Sequence, residues 1–438
     1  MGGRSHQNHC QHFHRYICHE FDYEQFQAPS EMIHRQTSSR RRGTPIHTSS
    51  RLVLAILSLV MTDLVASEVS LGPQASSDSA SVARTLSEAE LDALTREIHF
   101  SGMLFDGHND LPWQIHKLAK GSVDRLDLTV PQPLLHTDFP KLKQSGLKAQ
   151  FWSVYVPADT YQQGISLTQT LEQIQIVRKL AQKYPDQLEL ADSSADIERI
   201  VAQGKIASLM GAEGGYSIQC SIPILQQLYR EGVRYMTLTH SKTIEWADSA
   251  TDQPQHGGLT PFGEEVVREM NRLGMLVDLS HVSEETMLDA LDITTAPVIF
   301  SHSSAKAICN HPRNVSDVVL KRVTANRGIV MVNFMSGYIV PTERLKANPK
   351  DVGTLDDVVD HIVHIAKVAG VEHVGIGSDF DGVRQLPRGL EDVSKYPDLT
   401  KELIRRGFTK PQIHAILGGN ILRVLKEAEQ VAKNSKQP

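Results

Sequence analysis

Eight short apolar runs, alternating with stretches of helical period, constrain this chain more than any other feature. They are Met103–Asp106, Ala149–Val156, Ile206–Ala212, Arg234–Thr239, Met275–Leu279, Pro297–Ser301, Ile329–Phe334 and Val374–Gly377, and each reads as a strand. Between them, Leu167–Lys183, Ile222–Glu231, Phe262–Leu273, Glu284–Leu291 and Leu355–Ala369 carry apolar residues at helical spacing. The third of these has start signals: Thr260 as N-cap, Pro261 at the first helical position, and Glu264 and Glu265 near the positive end of the helix dipole. Eight strands alternating with helices predict an α/β fold, a (β/α)8 TIM barrel. A doubly wound open sheet is the competing arrangement, but no G-x-G-x-x-G or G-x-x-x-x-G-K-[ST] motif accompanies it.

A barrel of this kind places its chemistry at the C-terminal ends of the strands. The first run passes through Asp106-Gly107-His108-Asn109-Asp110-Leu111-Pro112-Trp113, read as a strand entering a loop. Residues two apart on an extended chain share a face, so His108 and Asp110 offer an imidazole and a carboxylate to one place, a pairing suited to catalytic zinc. Glu213 follows the third run among glycines, His240 the fourth, His281 the fifth, His302 the sixth, and Asp379 and Asp381 the eighth. Taken singly, each is better explained as a structural histidine or a turn carboxylate. Together they converge on one axis, where packing alone would favour apolar side chains. Such a set is sufficient for two zinc ions sharing a hydroxide, with a glutamate as bridge.

Composition narrows the field. The chain has 438 residues, is 40% hydrophobic and has a net charge of −6. No basic stripe interleaved with aromatics appears, which argues against nucleic acid as a partner. No composition break interrupts residues 86–432, the predicted catalytic domain, and 433–438 read as a polar tail. Residues 1–67 read as a leader. A basic stretch containing Arg40-Arg41-Arg42 precedes the apolar run Leu52–Met61, too short to span a bilayer but suited to a signal-peptide core. Val65-Ala66-Ser67 supplies small residues for cleavage after Ser67, and a start codon assigned too far upstream accounts for the length of the leader. Residues 68–85, rich in Ser and Ala, read as a linker. The expectation is an exported, soluble protein, membrane-attached only if the leader is retained. Of four cysteines, Cys10 and Cys18 lie in the leader; Cys220 and Cys309 remain in the body, too few for a dense disulfide framework.

Across about Leu86 to Leu425 the sequence resembles the membrane dipeptidase (renal dipeptidase) family of zinc peptidases, and looks like a bacterial-type exported member of it. The resemblance is carried by Asp106–Trp113, Gln150–Tyr155, Glu213-Gly214-Gly215, Leu238-Thr239-His240-Ser241, Trp246-Ala247-Asp248, Gly258–Gly263, Asp278-Leu279-Ser280-His281, Phe300-Ser301-His302-Ser303 and His311-Pro312-Arg313-Asn314. It implies a (β/α)8 barrel and a dipeptidase using two zinc ions per chain. His108 and Asp110 would hold one zinc, His281 and His302 the other, and Glu213 would bridge them. It also implies that a metal-bridging hydroxide attacks the peptide bond. His240 would meet the carbonyl oxygen as it becomes an oxyanion, Asp379 would shuttle the proton to the leaving amine, and Arg313 would bind the substrate carboxylate. Dipeptides, including those with a D-residue at the C-terminal position, are the implied substrates, and a homodimer is compatible with the resemblance.

Departures from the animal members are equally specific. Lys242 stands where they place a cysteine, Cys220 and Cys309 are expected not to bridge, and the polar ending Val431–Pro438 predicts no GPI anchor signal. Lactonases and cyclic amidases on the same barrel form the alternative reading, but typically use H-x-H on the first strand and a carboxylated lysine as bridge. A non-catalytic scaffold would be expected to have lost a ligand, and none is lost.

Overall fold

The computed structural model describes residues 86–435, so the leader and linker expected from the sequence, and the last three residues, lie outside the described part. Among the described residues nine parallel strands form: β1 (Leu104–Asn109), β2 (Leu147–Ser153), β3 (Leu188–Leu190), β4 (Ile206–Glu213), β5 (Val233–Thr237), β6 (Leu276–Asp278), β7 (Ile299–Phe300), β8 (Ile329–Val332) and β9 (Val374–Ile376). All eight strands expected from the apolar runs are present. Their order, β2-β1-β9-β8-β7-β6-β5-β4, closes through pairing of β2 with β4, giving an eight-stranded parallel barrel. The extra strand, β3, pairs with the start of β4 below the point where β5 takes over that edge.

The helices follow their sequence signals. Thr260 caps the helix Pro261–Leu273 by accepting from the Gly263 amide, and Gly274 ends it in the left-handed conformation. Alternation along β2 and β4 turns Ala149, Phe151, Ala207 and Leu209 into one apolar cluster with Phe105, Tyr235, Ile299 and Met331. Ile421, Val424, Leu425 and Ala428, from the last helix (Asn420–Asn434), belong to the same cluster. Apolar packing thus occupies the N-terminal half of the barrel and leaves the C-terminal mouth to polar groups. Among the described residues no helix is long and apolar enough to cross a membrane.

Candidate metal centre

Simple alternation does not deliver His108 to this mouth. Phe105 belongs to the interior cluster, so a regular strand would turn Gly107 inward and His108 outward. Between Asp106 and Asn109, however, three residue steps on β1 face two on β2, the signature of a β-bulge. The extra residue swings the His108 imidazole inward. The sequence following it is not a loop: a helix, Leu111–Ala119, begins at once with Asp110 at its N-cap position and Pro112 in its first turn. Bulge and turn together bring His108 Nε2 to 3.1 Å from Asp110 Oδ2. Beneath them, buried Asp106 accepts hydrogen bonds from the Ser378 and Tyr396 hydroxyls, both at 2.6 Å, and ties β1 to the loop after β9.

Glu213, at the end of β4, is the hub. Its Oε2 lies 3.5 Å from His108 Nε2 and accepts from Ser153 Oγ at 3.2 Å. Its Oε1 lies 3.1 Å from His281 Nε2, 3.4 Å from His302 Nε2 and 3.7 Å from His240 Nε2. The two carboxylate oxygens therefore face different imidazoles. Donor atoms crowd into three overlapping groups: His108 with Glu213 and His302, Glu213 with His240 and His281, and His108 with Asp110 and Asp379. His281 and Asp379 adopt left-handed backbone conformations, φ 68° and 66°, unusual for residues with side chains and common where function fixes geometry.

Electrostatics fit cations. Burial, together with the neighbouring Arg313 guanidinium and other imidazoles, holds His281 and His302 well below the usual imidazole range, so both are neutral near pH 7 and offer lone pairs. Burial pushes His108 down, but Tyr235, Glu213 and Asp110 outweigh it and favour positive charge at that spot. Burial pushes Glu213 up, and the imidazoles pull it well below the carboxylate range. His281 Nε2 and His302 Nε2 stand only 2.9 Å apart, and buried Asp110 Oδ1 has no hydrogen-bond partner. Facing imidazole nitrogens and an orphaned carboxylate oxygen are what a divalent cation would satisfy, and this N/O donor set suits zinc.

Around this centre stand further groups. Burial, with Asp110 and Glu213 adding to it, pushes Asp379 up to about 7; its Oδ2 accepts from Asn333 Nδ2 at 2.9 Å. A side chain at Gly382 would collide with the carboxylates of both Asp110 and Asp379, so glycine is what lets them approach. Asp381 turns away: its Oδ1 accepts from the His136 amide and its own amide donates to His136 Nδ1. Arg313 is buried, donates to Ser303 Oγ (3.3 Å) and the His302 carbonyl (3.2 Å), lies over the Tyr338 ring, and leaves Nε without a partner. His240 packs between the Tyr155 and His281 rings. Cys220 is exposed and Cys309 buried, both free thiols.

Sequence reading singled out neither Asn333 nor Tyr235. Asn333 interrupts the apolar run Ile329–Phe334 at its C-terminal end, a polar residue where strand ends carry chemistry, and that signal was available. Tyr235 looks like any core aromatic.

A parallel (β/α)8 barrel with histidines and carboxylates gathered at its C-terminal mouth is an arrangement that metal-dependent hydrolases use. Within that class the assignment is specific. Residues 93–438 match the membrane dipeptidase family, peptidase family M19, and the chain belongs to it as a metallo-dipeptidase-family hydrolase. Solved structures share the fold. The probable dipeptidase PvdM from Pseudomonas aeruginosa is 22% identical, covering 79% of this chain and all of its own, with a TM-score of 0.72. A metallo peptidase from Rhodobacter sphaeroides, liganded with a phosphinate mimic of the dipeptide L-Ala-D-Ala, is 23% identical over 74% of this chain and 99% of its own, with a TM-score of 0.66. Dipeptidase AC, a metallo peptidase of family M19, is 24% identical over 74% and 98%, with a TM-score of 0.67.

Proposed function

We propose that this protein is a binuclear zinc dipeptidase in which Glu213 bridges two cations. The observation that carries the reading is the division of the Glu213 carboxylate, one oxygen toward His108 and the other toward His281 and His302. His108 and Asp110 would complete one site, His281 and His302 the other. Bound there, two zinc ions would polarise the scissile carbonyl and lower the pKa of water into the neutral range.

The chain's own residues do the rest. Arg313, a buried guanidinium with an unpartnered Nε–H, binds the C-terminal carboxylate of the substrate; a buried cation without an anion is costly, so the pairing is strongly favoured once substrate enters. His240 donates to the developing oxyanion. It is the most exposed of the four imidazoles, at 19% against 10% or less, and so the one best placed to meet substrate. Asp379, with its carboxyl pushed up to about 7 by burial, carries the proton to the leaving amine. Holding the substrate at both ends, its carboxylate at Arg313 and its amino group at Asp379, confines the reaction to dipeptides.

A D-residue at the second position is accepted on this reading, in keeping with the L-Ala-D-Ala mimic bound by the Rhodobacter sphaeroides relative. A panel of dipeptides with L- and D-residues at that position, presented to zinc-loaded enzyme, tests it. Turnover of dipeptides but not of tripeptides is expected; cleavage of lactones or cyclic amides alone would favour the alternative hydrolase. Export with cleavage after Ser67 is part of the same reading, and N-terminal sequencing of the extracytoplasmic protein should begin at Glu68.

A further inference from the structure

We infer that Tyr235 is a positioning residue, whose hydroxyl fixes the His108 imidazole in the tautomer that presents a bare Nε2 to the cation side of the centre. This rests on the reading of His108 as a metal ligand. Tyr235 lies on β5, fully buried, with its ring across the barrel interior against Phe151, 4.8 Å between centroids. Its hydroxyl stands 2.8 Å from His108 Nδ1 and donates to the Gly107 carbonyl at 3.3 Å. A phenol has one proton. The Gly107 carbonyl can only accept, so it takes that proton, and the phenol oxygen is left to accept from Nδ1–H. In the neutral ring Nε2 then carries the lone pair, and a cation seated beside Asp110 Oδ2 (3.1 Å from Nε2) and Glu213 Oε2 (3.5 Å) would take it in place of a proton. The opposite tautomer would put a proton on Nε2, which an incoming cation would have to displace.

Space for this arrangement is built into the neighbouring strand. A Cβ at Gly211, two residues before Glu213, would fall on the Tyr235 ring, so glycine there seats the ring under the bridge. A phenylalanine would fill the same seat. Only the hydroxyl bond accounts for a tyrosine, since a buried hydroxyl is costly unless paired. The His302 imidazole is oriented by separate groups: Ser301 Oγ donates to Asp278 Oδ2 at 2.6 Å and stands 2.8 Å from His302 Nδ1. Loss of the tyrosine hydroxyl should therefore weaken one cation and spare the other.

The test is chelator competition on the zinc-loaded full chain, with Tyr235→Phe compared to the parent and to Phe151→Leu as a packing control. In Tyr235→Phe, one zinc should bind about 10–100-fold more weakly, the usual penalty for losing the partner of a ligating histidine, with the second unchanged. Phe151→Leu should leave both affinities as they are. Nitrogen-15 spectra of the unsubstituted zinc-loaded protein should show His108 bound through Nε2, with a slowly exchanging proton on Nδ1. Equal affinities in Tyr235→Phe and parent, an equal loss in Phe151→Leu, or His108 bound through Nδ1 would each overturn the inference. A parent that fails to take up two zinc ions would instead overturn the binuclear reading, and this inference with it.

Discussion

Recognition and chemistry separate at single residues. Arg313 holds no place in the three donor groups, so Arg313→Ala should retain zinc while kcat/KM on dipeptides falls by ~2–4 kcal/mol, the order expected for a charge-assisted pair in a closed site. Arg313→Lys keeps the charge and loses the fork, and should fall between. A dipeptide amide lacks the carboxylate; it should be a poor substrate for the parent and lose far less on mutation. His240→Ala supplies the contrast, lowering turnover of acid and amide alike, since an oxyanion forms on both. Equal harm to both substrates by Arg313→Ala would place that side chain in structure or catalysis and remove the basis for dipeptide selectivity. Glu213→Gln should be the most damaging ligand change, because it weakens two cations at once; full zinc content and activity in that variant would exclude Glu213 as the bridge.

At the scale of elements, His361 joins the loop after β7 to the short helix Ser336–Ile339. It lies on the helix Leu355–Ala369, accepts from the Ala305 amide at Nδ1 (2.9 Å) and reaches the Ile339 carbonyl through Nε2 (2.9 Å). Both bonds together need the neutral ring. Burial pushes His361 down to about 4; Asp360 opposes this and His364, itself paired with Asp317, adds to it. An unfolded histidine titrates near ~6.5, so below that pH the unfolded chain takes a proton that the folded ring refuses. Stability should therefore fall as pH drops from about 6.5 to about 4, by on the order of 3 kcal/mol from this residue. His361→Gln, which can offer an acceptor and a donor without titrating, should reduce the slope in urea unfolding at pH 7, 5 and 4 by this residue's share; an unchanged slope would exclude His361 as a contributor. Elements were also where sequence was most legible. Interior barrel strands are apolar on both faces, so their runs stand out; β3, three residues with Glu189 in the middle, does not. The bulge in β1 was invisible, since an inserted residue leaves composition untouched. His108 and Asp110 were thus set side by side on a simpler geometry than the one that brings them together.

For the whole molecule, barrel closure does what no local motif does: it gathers residues from 108 to 379 onto one axis. That convergence made the cluster of histidines and carboxylates readable from sequence, because strand ends in a barrel share a destination. The supporting shell was less legible. Tyr235 is recognisable only from the groups it touches, and those contacts arise from register between strands far apart in the chain. The central claim is that one carboxylate divides the mouth between two cations. It is tested most directly by elemental analysis of protein purified without chelator. About two equivalents of zinc per chain are expected from a two-metal site; a consistent single equivalent would contradict it.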